Sequence, residues 1–344
     1  MSAERGWQFW IDRGGTFTDV VARAPDGRLH AHKLLSEDPR YPDAAARGIH
    51  ELMARHAQPG ERIEGIRLGT TVATNALLER KGAATALVIT AGFADALRIG
   101  YQNRPALFAR RIELPAPLQR ATLEADERID ARGRVLRPLD AARLADGLAA
   151  LRESGIESVA IVFMHGHAHP RHEQQAAALA RAAGFAEVCA SHEVSPLLRL
   201  VARGDTTVAD AYLTPRLAHY VRRFREALGA AHAGARLQFM QSHGGLVAAE
   251  AFRGSNALLS GPAGGLVGMA RAGEAIGRRR LIGFDMGGTS TDVSLYDGAY
   301  PRRFDTTFAG LRLQVPMMNI HTVAAGGGSL LRYAGGRLQV GRAS

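Results

Sequence analysis

The sequence predicts an α/β protein built of two related lobes, each opening with a β-hairpin. "DRGGTFTDV" at residues 12–20 recurs as "DMGGTSTDV" at residues 285–293, with seven of nine positions identical. Each copy follows an apolar run and precedes a β-favouring stretch that ends at an Asp-Gly pair, as expected of a meander of strands joined by tight turns. Between the copies, strand and helix patterns alternate, which favours an open sheet with helices on its faces.

The other elements follow in order from apolar spacing and turn signals. Helical spacing predicts helices over residues 42–56, 140–155, 172–183 and 205–228. Asp140 is the expected N-cap and Gly155 the stop of the second helix, and Pro215 either kinks the last or marks its start. Strands are expected at residues 65–68, 86–89 and 158–164, then in "LQFMQSHGGL", before "SGPAGG" opens a further helix at residue 260. We expect two domains, residues 1–203 and 204–344.

Composition excludes several functional classes. The 344 residues are 46% apolar and carry a net charge of +10, almost all of it from arginine, because Lys33 and Lys81 are the only lysines. The arginines are scattered without interleaved aromatic residues, so a nucleic-acid interface is not expected. The sequence has no apolar run of about 18 residues and no secretory signal at its start, so no membrane partner is expected. Cys189, the single cysteine, excludes an internal disulfide and suggests the cytoplasm.

The repeated loop has the composition of a phosphate-binding turn. Two successive glycines permit backbone dihedrals closed to other residues and a close approach to a ligand, and a hydroxyl can add to the anion-binding amides. The acid that opens each loop, Asp12 or Asp285, would repel phosphate unless a cation such as Mg²⁺ lay between them. One such hairpin alone is more often an ordinary turn, but two copies could clamp a nucleotide from both sides. The candidate phosphate ligands are Gly14, Gly15, Thr16, Gly287, Gly288 and Thr289.

This pair of loops resembles the actin and sugar-kinase superfamily, whose two RNase H-like lobes clamp Mg-ATP between β-hairpins. The closer resemblance is to the hydantoinase/oxoprolinase family. It is carried by residues 9–39, 67–100, 193–215, 239–246, 259–265, 284–294 and 322–329. Within that family, "KLLSEDP", "LLERKG" and "RGDTTVADAYLTP" look most like ATP-dependent 5-oxoprolinase.

The resemblance implies an enzyme that uses ATP and Mg²⁺ to open a cyclic amide, 5-oxo-L-proline, to glutamate. This chain would be the ATP-binding, substrate-phosphorylating portion, with a hydantoinase B-type half or subunit as its partner. Asp12 and Asp285 would organise the magnesium and its waters. The family's nucleotide-binding half normally continues beyond the point matched by Ser344, so the second lobe is expected to be incomplete. An N-methylhydantoinase, a ketone carboxylase subunit, an inactive fragment and a non-catalytic nucleotide-binding module stay open as alternatives.

Three further residues are candidates for substrate contact. Thr71 and Asn75 stand where a strand gives way to a helix, a suitable place for a carboxylate or phosphate, although plain N-capping is the alternative. Arg98 could pair with a substrate carboxylate. Asp19 and Asp292 are expected to anchor their hairpins through side-chain to backbone hydrogen bonds, with direct contact to the metal or its waters as the alternative.

Two other features favour structural roles, and a third stays open. The histidine run at residues 165–172 lacks a recognised zinc spacing, so loop and capping roles are expected. Cys189 lies in an apolar stretch and is expected to be a packed core thiol. "AAGGGS" at residues 324–329 is either a third nucleotide contact or a turn.

Overall fold

The computed structural model describes residues 6–102, 108, 110–112, 114–288 and 290–341; Thr289 lies outside the described residues. The strands are β1 Trp7–Arg13, β2 Phe17–Arg23, β3 Leu29–Leu35, β4 Ile63–Thr70, β5 Thr85–Thr90, β6 Ala121–Ala125, β7 Arg128–Ile129, β8 Val135–Arg137, β9 Ser158–Val162, β10 Glu187–Ala190, β11 Arg236–Met240, β12 Leu246–Ala248, β13 Arg280–Met286, β14 Thr291–Asp297, β15 Arg302–Phe308, β16 Leu311–Met318, β17 Ile320–Val323, β18 Leu330–Ala334 and β19 Arg337–Gly341. The α-helices are α1 Ala44–His56, α2 Val72–Leu78, α3 Ala96–Ile99, α4 Ala141–Glu153, α5 Arg171–Ala182, α6 Ser191–Val194, α7 Leu200–Leu228 and α8 Ser260–Ala275. Two short 3₁₀ turns cover Ala230–His232 and Ala249–Ala251.

The first copy of the repeat opens a six-stranded mixed sheet in the order β12-β11-β4-β1-β2-β3. Strands β1, β2 and β3 form the predicted antiparallel meander, while β4 and β11 run parallel to β1. Phe9, Ile11 and Val20 are buried beneath α1 and α7. Gly48 allows α1 this close, since a Cβ there would lie 2.7 Å from the Val20 Cγ2 atom.

A second, fully parallel sheet has the order β10-β9-β5-β6. Helices α4 and α5 cover one of its faces, where Val88, Ile161 and Phe163 are buried. Helix α7 contacts the same sheet through β5, β9 and β10. The parallel strands and their covering helices confirm the predicted α/β class.

Helix α7 is longer than predicted, since it begins at Leu200 rather than at residue 205 and carries Pro215 inside it. Most of its residues up to Thr214 are buried, and the helix packs against the second sheet, strand β16 and helices α1 and α2. The domain boundary expected between residues 203 and 204 falls in its first turns and stays a prediction. The described helices include none that is long and apolar enough to cross a membrane.

The second copy of the repeat forms a three-stranded sheet, β13-β14-β17, with α8 packed on it. Here the predicted meander is wrong in its third strand. The strand that follows Asp297–Gly298 is β15, which leaves the sheet and pairs with β16 instead. Burial explains why β15 and β16 pair away from this sheet, because β16 packs against α7. There the backbone amide of Gln314 donates to the Thr206 hydroxyl at 2.8 Å. Strand β17 then returns to take the place beside β14.

Candidate functional site

The two copies of the repeated loop fold into the same turn. In the first, the Gly14 amide donates to the Phe17 carbonyl at 3.0 Å, and in the second the Gly287 amide donates to the Ser290 carbonyl at 2.9 Å. Each turn joins two antiparallel strands in equivalent register, β1 with β2 and β13 with β14. The sequence repeat is therefore a structural repeat down to single hydrogen bonds.

The glycines serve the turns by leaving space rather than through unusual dihedrals. None of Gly14, Gly15, Gly287 and Gly288 has a positive φ, so the expectation of dihedrals closed to other residues is wrong. A Cβ at Gly15 or Gly288 would meet no atom of the described residues within 4 Å, apart from its chain neighbours. The outer side of each turn is therefore open to a ligand at the second glycine.

A buried hydroxyl pair supports the first turn from behind. Thr18 is fully buried, and its Oγ1 lies 3.0 Å from the Ser36 Oγ. The Ser36 hydroxyl donates to the Gly14 carbonyl at 2.7 Å, and its amide donates to the Thr16 carbonyl at 2.9 Å. Ser36 was missed in the sequence, although it lies in the "KLLSEDP" stretch.

The glycine-rich segment at residues 324–329 supports the second turn in the same way. The Thr291 hydroxyl donates to the Ala325 carbonyl at 2.7 Å. The amides of Gly327 and Gly328 donate to the carbonyls of Gly287 and Gly288, both at 2.9 Å. This segment therefore holds the second turn in place. The sequence had left its role open between a third nucleotide contact and a simple turn.

Two carboxylates share the space between the turns. Asp12 opens onto solvent, yet burial by its surroundings raises its pKa, Asp19 and Asp285 raise it further, and Lys33 opposes them. Asp285 lies close enough to Asp12 to raise the pKa of that carboxyl, so the carboxylates that open the two hairpins lie near one another; we call the space between them the cleft. The ionised Asp12 therefore has two neighbouring carboxylates, only partly offset by the ammonium group of Lys33, and so has a shortage of neighbouring positive charge.

A magnesium ion fits this shortage of charge. In the described part of the chain, no three His, Cys, Asp or Glu side chains cluster tightly enough to hold a metal by themselves. Mg²⁺ commonly binds through one or two carboxylates, completing its shell with waters and phosphate oxygens. Asp12 and Asp285 are carboxylates, the kind of ligand that such a partial shell requires.

The amino-terminal end of α8 lies beside Asp12. A Cβ at Gly261 would lie 3.7 Å from the Asp12 Oδ1, and one at Gly69, near the end of β4, would lie 3.4 Å from it. The Ser260 hydroxyl donates to the Thr70 carbonyl at 2.9 Å and so fixes this helix end against the first lobe. Free amides at a helix N-terminus favour anions. The "SGPAGG" pattern predicted this helix start but not its place in the cleft.

The three predicted substrate residues do not come together. Thr71 lies beside the first turn, with its hydroxyl 3.4 Å from the Arg13 carbonyl, and the Asn75 amide donates to that hydroxyl at 3.3 Å. Thr71 occupies the N-cap position of α2 but makes no side-chain capping bond. Arg98 instead lines a cavity of about 350 Å³ with Arg80 and Arg312, and the described residues around that cavity do not include either turn.

The second acid of each repeat is bound by a side chain rather than by the backbone bonds that the sequence predicted. Lys33 donates to both Asp19 oxygens at 2.9 and 3.0 Å, and the Thr322 hydroxyl donates to Asp292 at 2.6 Å. Both acids therefore tie their hairpin to the next strand of its sheet.

The histidine run and the cysteine take structural positions. His172 is buried and lies 2.7 Å from the Glu127 carboxylate, at the start of α5. His167 lies 3.3 Å from the buried Arg203 guanidinium, and desolvation lowers its pKa. Cys189 is fully buried, which raises the pKa of its thiol and confirms the expected core position.

Comparison with known proteins finds matches over nearly the whole chain. Residues 8–184 match the family described as hydantoinase/oxoprolinase N-terminal region, and residues 203–344 match hydantoinase/oxoprolinase. The chain is 43% identical to 5-oxoprolinase 1 of Arabidopsis thaliana over 97% of this chain and 29% of that protein. It is 40% identical to 5-oxoprolinase of Saccharomyces cerevisiae over 96% of this chain and 29% of that protein. It thus spans about three tenths of these relatives' length.

Solved structures share the fold. The ATP-dependent caprolactamase from Pseudomonas jessenii superposes with a TM-score of 0.83 at 32% identity, covering 97% of this chain and 50% of that one. A nucleotide-free acetone carboxylase superposes with a TM-score of 0.79 at 24% identity, covering 98% of this chain and 51% of that one. On the strength of the family matches, this chain belongs to the hydantoinase/oxoprolinase family.

Proposed function

We propose that this chain is the nucleotide-binding, substrate-phosphorylating portion of an ATP-dependent lactam hydrolase that acts on 5-oxo-L-proline. The observation that carries the proposal is the pair of equivalent turns, each opened by a carboxylate and closed by the same backbone hydrogen bond, with Asp285 near enough to Asp12 to raise its pKa. The identities to two proteins named 5-oxoprolinase support the choice of substrate.

The chain's own residues suit a bound Mg-ATP. The open second glycines, Gly15 and Gly288, leave room for phosphate oxygens close to the backbone amides. Asp12 and Asp285 would hold Mg²⁺ through its waters, and Thr16 and Thr289 stay proposed phosphate ligands. Phosphoryl transfer needs mainly such positioning and charge neutralisation. When bound, the metal would supply that neutralisation to the phosphates.

Activation by phosphate explains why a lactam hydrolase would use ATP. A five-membered lactam is nearly unstrained, and water attack on it must overcome amide resonance. Transfer of the terminal phosphoryl group to the amide oxygen replaces a poor electrophile with one that carries a good leaving group. Thr71 and Asn75 lie beside the first turn and are therefore the better-placed substrate candidates. Arg98 lines a separate cavity, whose described lining residues include none from either turn.

A second polypeptide half is part of the proposal. Caprolactamase subunit alpha of Pseudomonas jessenii is 33% identical to this chain, which covers 51% of that protein, and its name describes one subunit of an assembly. We propose a hydantoinase B-type half or subunit as the partner that assists water attack. A cytoplasmic location stays a prediction from cysteine usage.

Calorimetric titration of the 344-residue chain with Mg-ATP tests the nucleotide site. We expect binding that Asp285→Ala abolishes and that Asp297→Ala retains, because Asp297 is an exposed acid on the neighbouring strand β14, paired with Arg280 at the far end of the hairpin. A folded wild-type chain that does not bind, or equal binding by Asp285→Ala, would refute the site.

Turnover assays then test the substrate. ATP hydrolysis should rise with 5-oxo-L-proline rather than with caprolactam, N-methylhydantoin or acetone, each measured with and without a hydantoinase B-type protein. Stimulation by one of the other compounds alone would move the proposal to that substrate.

A further inference from the structure

A row of three charged residues crosses the first lobe at the edge of the cleft. Asp12 on β1 is the direct register partner of Asp19 on β2, which is the register partner of Lys33 on β3. Directly opposed residues in antiparallel strands place their side chains on one face of the sheet. The ammonium group of Lys33 therefore lies on the same face as the carboxylate that opens the phosphate turn.

The second lobe carries the same row without the lysine. Asp285 is the register partner of Asp292, which is the register partner of Thr322 on β17. Thr322 donates to Asp292 across the strands at 2.6 Å, as Lys33 donates to Asp19. A neutral hydroxyl thus suffices to tie the hairpin to its third strand. The positive charge of Lys33 goes beyond this structural need.

The position of the ammonium group brings it to the turn itself. Lys33 Nζ lies 5.2 Å from the ring centroid of Phe17, whose carbonyl closes the first turn. The Lys33 side chain is 57% exposed, so it can leave Asp19 without emptying a packed site.

We propose that Lys33 binds the terminal phosphate of Mg-ATP, exchanging its contact with Asp19 for one with the transferred phosphoryl group. The inference rests on the proposed function and adds a division of roles between the lobes. The turn of the first lobe, which has a lysine beside it, receives the terminal phosphate, whereas the second turn, whose row ends in Thr322, holds phosphates nearer the nucleoside. An ammonium group there would neutralise charge that develops on the phosphoryl oxygens.

Lys33→Thr tests this directly, because it reproduces the pair of Asp292 and Thr322 that already folds in the second lobe. Calorimetry with Mg-ATP and Mg-ADP compares the wild-type chain, Lys33→Thr, Lys33→Arg and the control Lys81→Thr. Lys81 is the other lysine of the chain, exposed and paired with Glu79. We expect Lys33→Thr to lose about 10-fold in ATP affinity, the size of one charge-assisted hydrogen bond, with ADP affinity within about twofold of wild type.

The outcomes separate this inference from the proposed function. No binding by the wild-type chain refutes the nucleotide site itself. Unchanged ATP affinity in Lys33→Thr, or equal losses for ATP and ADP, refutes the role of Lys33 while leaving the site intact. Lys33→Arg should recover part of the ATP affinity, because the charge is retained. Equal melting temperatures of Lys33→Thr and wild type would exclude unfolding as the cause of any loss.

Discussion

A methyl group at the second glycine of each turn should abolish most nucleotide binding without harming the fold. Gly15→Ala and Gly288→Ala place a Cβ in space that no described atom occupies within 4 Å, at positions whose φ is not positive. If that space belongs to phosphate oxygens, the methyl group excludes them from the turn's amides. The same substitutions in ordinary hairpin turns would have no such effect on a ligand.

The expected magnitudes differ between folding and binding. A Gly→Ala change at a compatible site alters stability by roughly 0.4–1 kcal/mol, in the stabilising direction. Loss of one hydrogen bond to a charged group costs about 1.5–3 kcal/mol, or roughly 10- to 100-fold in affinity. Gly14→Ala should behave differently, since its Cβ would lie 3.1 Å from the Phe17 carbonyl oxygen and strain the turn.

Urea unfolding and calorimetric titration with Mg-ATP, run on the same samples, separate the two effects. Gly268→Ala is the matched control, because that glycine is exposed in α8 and a Cβ there would also meet no described atom within 4 Å. It should keep wild-type affinity and gain about 0.5–1 kcal/mol in stability. Affinities within twofold of wild type in both Gly15→Ala and Gly288→Ala would show that the turns do not bind phosphate.

Three further predictions concern charge and burial. Arg312→Met leaves the buried Asp205 without the guanidinium that donates to it at 2.5 Å. The free energy of unfolding should fall by about 3 kcal/mol and the melting temperature by about 4 °C. Asp205→Asn in the same background should restore part of the lost stability. Burial and neighbouring carboxylates hold the folded-state pKa of Asp12 above its unfolded value. The ligand-free protein should therefore lose stability as the pH rises through the interval between the two pKa values, starting near about 4. Urea unfolding from pH 4 to 7 without Mg²⁺ should show a smaller decline in stability for Asp12→Asn, and an equal decline would contradict the raised pKa of Asp12. The buried Cys189 thiol, whose pKa burial raises, should react with a disulfide reagent only after unfolding, and rapid reaction in the native state would contradict its core position.

The parts of the site that are local in sequence could be predicted, and those that depend on distant strands could not. The two turns follow from nine consecutive residues, because a hairpin's hydrogen bonds close within four residues. The third strand of the second sheet, β17, could not be found in this way, since 22 positions separate Asp297 from Ile320 and burial against α7 decides where β15 and β16 pair. The same limit separated Arg98 from the turns, because the cavity that it lines is closed by Arg312 from the distant hairpin.

For the paired glycines and the second acid of each turn, the sequence identified the right residues but the wrong physical role. Paired glycines suggested unusual dihedrals, but none of the four has a positive φ, and the absent side chain at the second glycine of each turn leaves open space beside the backbone. The partners of Asp19 and Asp292 were sought in the backbone because short acids commonly bond locally. Their partners are instead Lys33 and Thr322, which lie directly opposite them on the neighbouring strands but are far from them in the sequence.

Duplication makes it possible to distinguish residues that maintain the fold from residues that serve a ligand. Where both lobes keep the same hydrogen bond, as at the amides of Gly14 and Gly287 that close their turns, the residue maintains the hairpin. Where the backbone is equivalent but the charge differs, the structure does not require the charge. The pair of Lys33 and Thr322 meets this second condition, and it lies in the row that opens onto the cleft. If the two turns bind phosphates as proposed, two equal turns would not distinguish the ends of a polyphosphate, whereas a cationic side chain beside one turn would favour one orientation of the nucleotide.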